Sequence, residues 1–250
     1  MTTAQKPCAG VCWMPGDAER VGDGYRAMAT RLRTLFSLLR QRADLTFDTF
    51  TIGAAELPSV ADQTGWDLRI PDDFRQFARE LASITCSYTG PTSSDGTPIT
   101  GGVALSALAG PGELEKPEWV PEVNGSVPAV ESWIFFDVPE SWNGECTTFA
   151  LLPDRSVLLY LYDHTASFES LTDYLTVGAR RGFVSYWPNL DSQLRNTPYQ
   201  QFAALKSHSL PAETPLAEIL RRLHGAGVNQ QIAADLVAWL GSDLSLYFQR

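Results

Sequence analysis

The chain has 250 residues, 44% of them hydrophobic and 19% charged, with a formal net charge of −10 at pH 7. This is the composition of a globular protein that buries a real core. No run approaches the ~20 apolar residues a membrane-spanning helix needs, and an acidic chain without clustered Lys and Arg is a poor partner for nucleic acid.

The opening MTTAQKPCAGVCW has no basic region followed by an apolar run, so no secretory signal is read there. The four cysteines, Cys8, Cys12, Cys86 and Cys146, match no metal-ligand spacing, because Cys8 and Cys12 stand without a second pair or a nearby histidine. Reduced thiols in a cytoplasmic protein are the simplest reading; a Cys8 to Cys12 disulfide or half of a metal site is the alternative.

A long helix is expected from Asp17 to Arg42, with Tyr25, Met28, Leu32, Leu35, Phe36 and Leu39 buried and Arg26, Arg33 and Arg40 wet. It is basic and amphipathic, but its early acids suit the helix dipole, so packing on the domain is expected rather than a membrane surface. Leu45 to Ile52 reads as a short strand in which Phe50 breaks the alternation. Ile70-Pro71-Asp72-Asp73-Phe74-Arg75-Gln76-Phe77 opens a second helix, with proline where its missing N–H costs nothing and a stripe of Phe74, Phe77, Ala78, Leu81 and Ile84. Cys86 to Gly90 then leads into a loop. Gly90 to Gly125, rich in Gly, Pro and Ser, is expected to be an irregular excursion with a short strand at Val103 to Leu108.

Strands are expected at Trp133 to Val138, Cys146 to Leu152 and Val157 to Tyr162, the last two joined by the turn Pro153-Asp154-Arg155-Ser156. Asp163-His164 falls at the end of the last of these strands. The period then switches to helical, with Ser167 as N-cap and Phe168, Leu171 and Leu175 on one face. Past Gly182 the reading is irregular structure and one short helix. Thr214 caps a further helix with Pro215 at its first position and Gly225 as its stop; Asn229 opens another, which ends at Gly241. This pair is not a DNA-reading helix-turn-helix: the second helix carries Asp235 and no Lys or Arg from Asn229 to Leu240. A packing or oligomer-forming hairpin is expected instead.

Several of these motifs, in this order, resemble the SUKH superfamily. Ile70 to Phe77 is similar to that family's opening "lP.dy..fl". Trp133 to Val138 with Trp142-Asn143-Gly144 is similar to "i.ia.d..Gd", Tyr162-Asp163-His164 to "y.hd", and Ser167-Phe168-Glu169-Ser170-Leu171 to "SFeeyl". The likeness covers roughly Trp66 to Gly182. It departs at Cys86 to Gly90, where the family carries a Gly-Gly or Asn-Gly pair. The resemblance implies an α+β fold with a central antiparallel sheet and flanking helices. Residues 66–182 would be the SUKH-like core. Residues 1–65 would be an N-terminal extension of helix and short strand, and 183–250 an irregular segment and helical hairpin packed on the core as one unit.

Candidate chemistry is sparse. His164, His208 and His224 are far apart and lack the i, i+4 pairing of zinc helices, and there is no phosphate loop or dinucleotide fingerprint, so no cofactor or metal is expected. Cys146 in GECTTFA, with His164 downstream, superficially resembles the cysteine segment of peptidoglycan amidases. Those enzymes set the cysteine at a helix start, whereas a strand is expected here. The acidic layout says more. Met1 to Arg42 holds seven basic residues and three acids, while Glu113 to Glu145 holds eight acids against Lys116 alone. A basic protein is the partner such a stretch suits, although a run of acids is also what any solvated surface looks like.

Many bacterial SUKH proteins are immunity proteins that neutralise a cognate polymorphic or contact-dependent toxin by stoichiometric binding. The resemblance therefore implies a non-catalytic toxin-binding protein. The expected interface is Glu113, Glu115, Glu118, Trp119, Glu122, Glu131, Asp137, Glu140, Trp142 and Glu145, with acids steering and tryptophans anchoring. The alternatives are a cysteine hydrolase using Cys146 and His164, and a regulatory scaffold like the fungal cell-wall regulators of the same fold.

Overall fold

The structure is a computed structural model that describes residues 17–53, 83–93, 96, 98–105, 134–135, 147–151, 157–161, 164–184 and 197–250. It is mixed α+β. Helix α1 runs Asp17–Arg40, two residues short of the expected end, and i→i−3 bonds from Gln41 and Arg42 to Leu38 and Leu39 close it. Met28, Leu32, Leu35, Phe36 and Leu39 are at most 1% exposed, and Arg26, Arg33 and Arg40 face solvent, as the periodicity predicts.

Strands β1 (Thr46–Gly53), β2 (Ser83–Thr92) and β3 (Pro98–Leu105) form an antiparallel sheet in that order. The phase break at Phe50 has a structural cause. Phe47 stands opposite Tyr88 and Thr49 opposite Ser87, so a bulge at Asp48 adds one residue to β1. Phe50 therefore falls opposite Cys86, two residues from Tyr88 and at the same face position on β2.

Three expectations are corrected here. Cys86 to Gly90 is strand rather than the entry to a loop, because Thr, Ile, Cys and Tyr around it suit a pleated, half-buried surface. Ile84 is in β2 rather than on a helical stripe, and the rest of the expected helix lies outside the described residues. The glycines of β3 mark close approach rather than irregularity. A Cβ on Gly101 would stand 2.2 Å from Tyr88 Cζ and 2.6 Å from the Phe183 carbonyl oxygen.

A second antiparallel sheet has the order β4 (Ile134–Phe135), β5 (Thr147–Leu151), β6 (Val157–Leu161) and β7 (His164–Phe168). The described strands thus make two sheets where one central sheet is expected. β4 to β6 lie inside the expected strands, but β7 is new: Leu161 pairs with His164, which opens a strand instead of ending one. Ser167 and Phe168 continue that pairing opposite Leu158 and Val157, so Ser167 is no helix cap. Ser170 takes that role, its hydroxyl accepting from the Asp173 N–H at 3.1 Å, and helix α2 spans Leu171–Arg180.

Helix α3 (Thr197–His208) is longer than the short helix expected. Helices α4 (Leu216–Gly225) and α5 (Gln230–Leu240) form the expected hairpin, and a 3-10 segment, Gly241–Tyr247, follows. Two terminal assignments change. The Thr214 hydroxyl donates back to the Pro211 carbonyl oxygen at 2.6 Å, leaving Pro215 at the cap position. The stop of α4 is Gly227 rather than Gly225: Gly227 has φ +84°, and Val228 and Gly227 donate to the carbonyls of Leu223 and His224, a Schellman closure. Asn229 caps α5 as expected, its side chain accepting from the Ile232 N–H.

One hydrophobic cluster draws Leu35 and Phe36 from α1, Tyr88 from β2, Tyr174 from α2, Leu223 from α4, Leu236 from α5 and Tyr247 from the 3-10 segment. The N-terminal helix and the C-terminal hairpin therefore share a core with the first sheet. No helix among the described residues is long and apolar enough to cross a membrane.

Candidate functional site

The ten residues expected to form the interface, from Glu113 to Glu145, lie outside the described residues. Within that stretch only Ile134–Phe135 is described, paired with Leu151 and Ala150 at one edge of the second sheet. Cys8, Cys12 and Cys146 also lie outside. Cys146 runs straight into β5 at Thr147, so no helix N-terminus follows it to stabilise a thiolate. Thr147, Leu161 and His164 form one row across three strands, which sets the backbones at 147 and 164 roughly 10 Å apart. His208 and His224 are exposed on α3 and α4. Among the described residues no three of His, Cys, Asp and Glu come together as a metal site.

The described polar groups gather in three places. The first is Arg42, whose side chain is 1% exposed, beside Asp44 at 8%. Its Nε and Nη2 donate to the Asp44 carboxylate at 2.9 and 2.6 Å, while Nη1 donates to Ser209 Oγ at 2.7 Å and to the Leu246 carbonyl oxygen. One guanidinium thereby ties the end of α1 to α3 and to the 3-10 segment. Burial alone would push the Asp44 carboxyl up; the Arg42 hydrogen bonds and charge outweigh it and hold it below the usual carboxylate range.

The second joins three helices. Arg31 grips Asp235 with two bonds of 2.7 Å and lies 5.1 Å from the Trp239 ring centre, and the indole N–H of Trp239 donates to Thr176 Oγ1 at 3.2 Å. Hydrogen bonds from Arg31 lower the Asp235 pKa against a smaller cost of burial.

The third is an open groove of about 530 Å³ lined by Gln41 and Arg42 past the end of α1, Arg221 and Arg222 of α4, and Phe248 and Gln249. Arg221 and Arg222 share Glu218, at 2.6 and 3.0 Å, and their hydrogen bonds pull its pKa down to about 2.

Beneath these, two buried hydroxyls serve the end of α2. Tyr88 donates to the Gly182 carbonyl oxygen at 2.5 Å and Tyr247 to that of Ala179 at 2.6 Å, and burial raises both phenol pKa values. Cys86 is buried beside them, its thiol pushed up to about 12 by desolvation.

Arg31 and Asp235 stand 204 residues apart, so only the tertiary fold pairs them, and Arg42 likewise reaches Ser209 and Leu246 across 167 and 204 residues. Neither a family model, nor a curated protein, nor a solved structure matches this chain.

Proposed function

We propose that this protein is a non-catalytic immunity protein, acting in the cytoplasm by stoichiometric binding of a cognate polymorphic or secreted toxin. The observation that carries this reading is the layout of charge: eight acids against one lysine between Glu113 and Glu145, in a chain whose first forty-two residues are basic on balance. Such a stretch steers a basic partner and speeds encounter, while Trp119 and Trp142 supply large contact area at low entropic cost. The order of motifs similar to the SUKH superfamily points the same way, and the partner would be a nuclease, deaminase or other enzyme acting in the cytosol.

Reversing Glu118, Glu122 and Glu131 to Lys tests it. Loss of protection against the toxin, with a slower association rate that no longer depends on salt, is the expected result. The rival hydrolase reading draws on the row that joins Thr147 to His164. It predicts instead that Cys146→Ala abolishes protection while toxin binding persists.

A further inference from the structure

We infer that the groove between the C-terminal ends of α1 and α4 binds a small organic oxyanion, a carboxylate or phosphate carried on a compact apolar body. Its volume of about 530 Å³ falls in the range of small-molecule sites. Three guanidiniums line it, those of Arg42, Arg221 and Arg222, and two carboxylates answer them, Asp44 and Glu218. One positive charge is left over.

The donors are unequally spent. Arg42 is structural, with Nε, Nη1 and Nη2 all engaged. Arg222 gives only Nε to Glu218, and Arg221 gives Nε and Nη2, so among the described residues both terminal nitrogens of Arg222 and Nη1 of Arg221 have donors left over. Their side chains are 37% and 71% exposed, open to an arriving ligand. A guanidinium with its terminal nitrogens unspent suits a planar or tetrahedral oxyanion. Gln249 adds to this: its Oε1 accepts from the Ala43 N–H at 3.2 Å, which leaves the amide NH₂ as its donor.

At the end of α4 three backbone carbonyls that would repel such a ligand are already spent. Those of Arg222, Leu223 and His224 accept from the N–H groups of Ala226, Val228 and Gly227. Phe248 and Leu38 supply the apolar side. The net charge of −10 opposes anions at long range, but charges beyond about 8 Å are largely screened at physiological salt, so the nearby guanidiniums decide. A nucleic acid strand is a different matter, because a run of phosphates would extend past the groove over an acidic molecule.

The test uses the whole chain with three probes: phenyl phosphate, benzoate and inorganic phosphate, titrated by calorimetry. Saturable binding of phenyl phosphate or benzoate, at least about tenfold tighter than inorganic phosphate and weakened by salt, is expected. Which of the two wins identifies the oxyanion. Arg222→Gln should weaken binding about tenfold, and the double variant R221Q/R222Q should remove it. Gly225→Leu provides a steric control: Gly225 lines the groove and a Cβ there meets nothing within 4 Å, so the added side chain should weaken binding while both charges stay. Absence of saturable binding of every probe at millimolar concentration would overturn the inference. So would binding that persists unchanged in R221Q/R222Q with circular dichroism showing the variant folded.

Discussion

Arg42 and Asp44 face each other only two residues apart, Nη2 to Oδ2 at 2.6 Å, with side chains 1% and 8% exposed. A buried pair adds little relative to an apolar core, but removing one partner strands the other charge. Asp44→Ala should therefore cost about 3 to 5 kcal/mol in chemical denaturation. The acid dependence has a definite sign. A carboxyl held below its unfolded pKa contributes stability that is present above roughly pH 4 and lost as pH falls through its folded value. Asp44→Asn should flatten that part of the stability–pH profile while leaving a protein destabilised at neutral pH.

Gly101 sits at a close approach in the first sheet. An alanine there would set its Cβ 2.2 Å from Tyr88 Cζ and 2.6 Å from the Phe183 carbonyl oxygen, and backbone cannot yield as a flexible side chain does. Gly101→Ala should destabilise by ~3 kcal/mol, read as a lowered denaturant midpoint with the slope unchanged. Tyr88→Phe removes only the bond to Gly182 and should cost about 1 to 2 kcal/mol.

Arg31 and Asp235 hold a bidentate pair, but at 23% and 38% exposure water screens it. A double-mutant cycle with Arg31→Ala and Asp235→Ala should give a coupling of no more than ~1 kcal/mol, shrinking in high salt. Because Trp239 loses its cation when Arg31 is replaced, Arg31→Ala should cost more than Asp235→Ala.

Cys86 should be chemically silent in the folded protein. With its thiol pushed up to about 12 by burial, the thiolate that alkylating reagents need is scarce at neutral pH. Mass spectrometry should find it unmodified by iodoacetamide in buffer and modified in denaturant; rapid labelling of the folded chain would contradict the buried position.

How much of this was legible in the sequence depends on the range of the forces involved. Helix α1, the caps at Asn229 and Gly241 and the apolar strand at Val157 come from local periodicity and local hydrogen bonds, and they could be read directly. The break at Phe50 was visible too, but its meaning as a bulge needed the register against Tyr88 and Cys86. Ser167 and Ser170 are equally good caps by composition. The choice between them is made by strand pairing to Leu158, a partner nine residues back. Glycines 101 and 102 look like loop residues until Phe183 and Tyr88 are brought against them. The groove at Arg221 and Arg222 and the Arg31–Asp235 pair join segments far apart in sequence, so no window of sequence contains them.

The central claim is that the chain acts by occupying a partner rather than by chemistry on it. The most direct measurement titrates the purified protein against a candidate cognate toxin domain and follows toxin activity. The account predicts inhibition that is complete at one molecule of this protein per toxin, unchanged by Cys146→Ala and lost on reversing Glu118, Glu122 and Glu131. Protection at far less than one equivalent, abolished by Cys146→Ala, would contradict it.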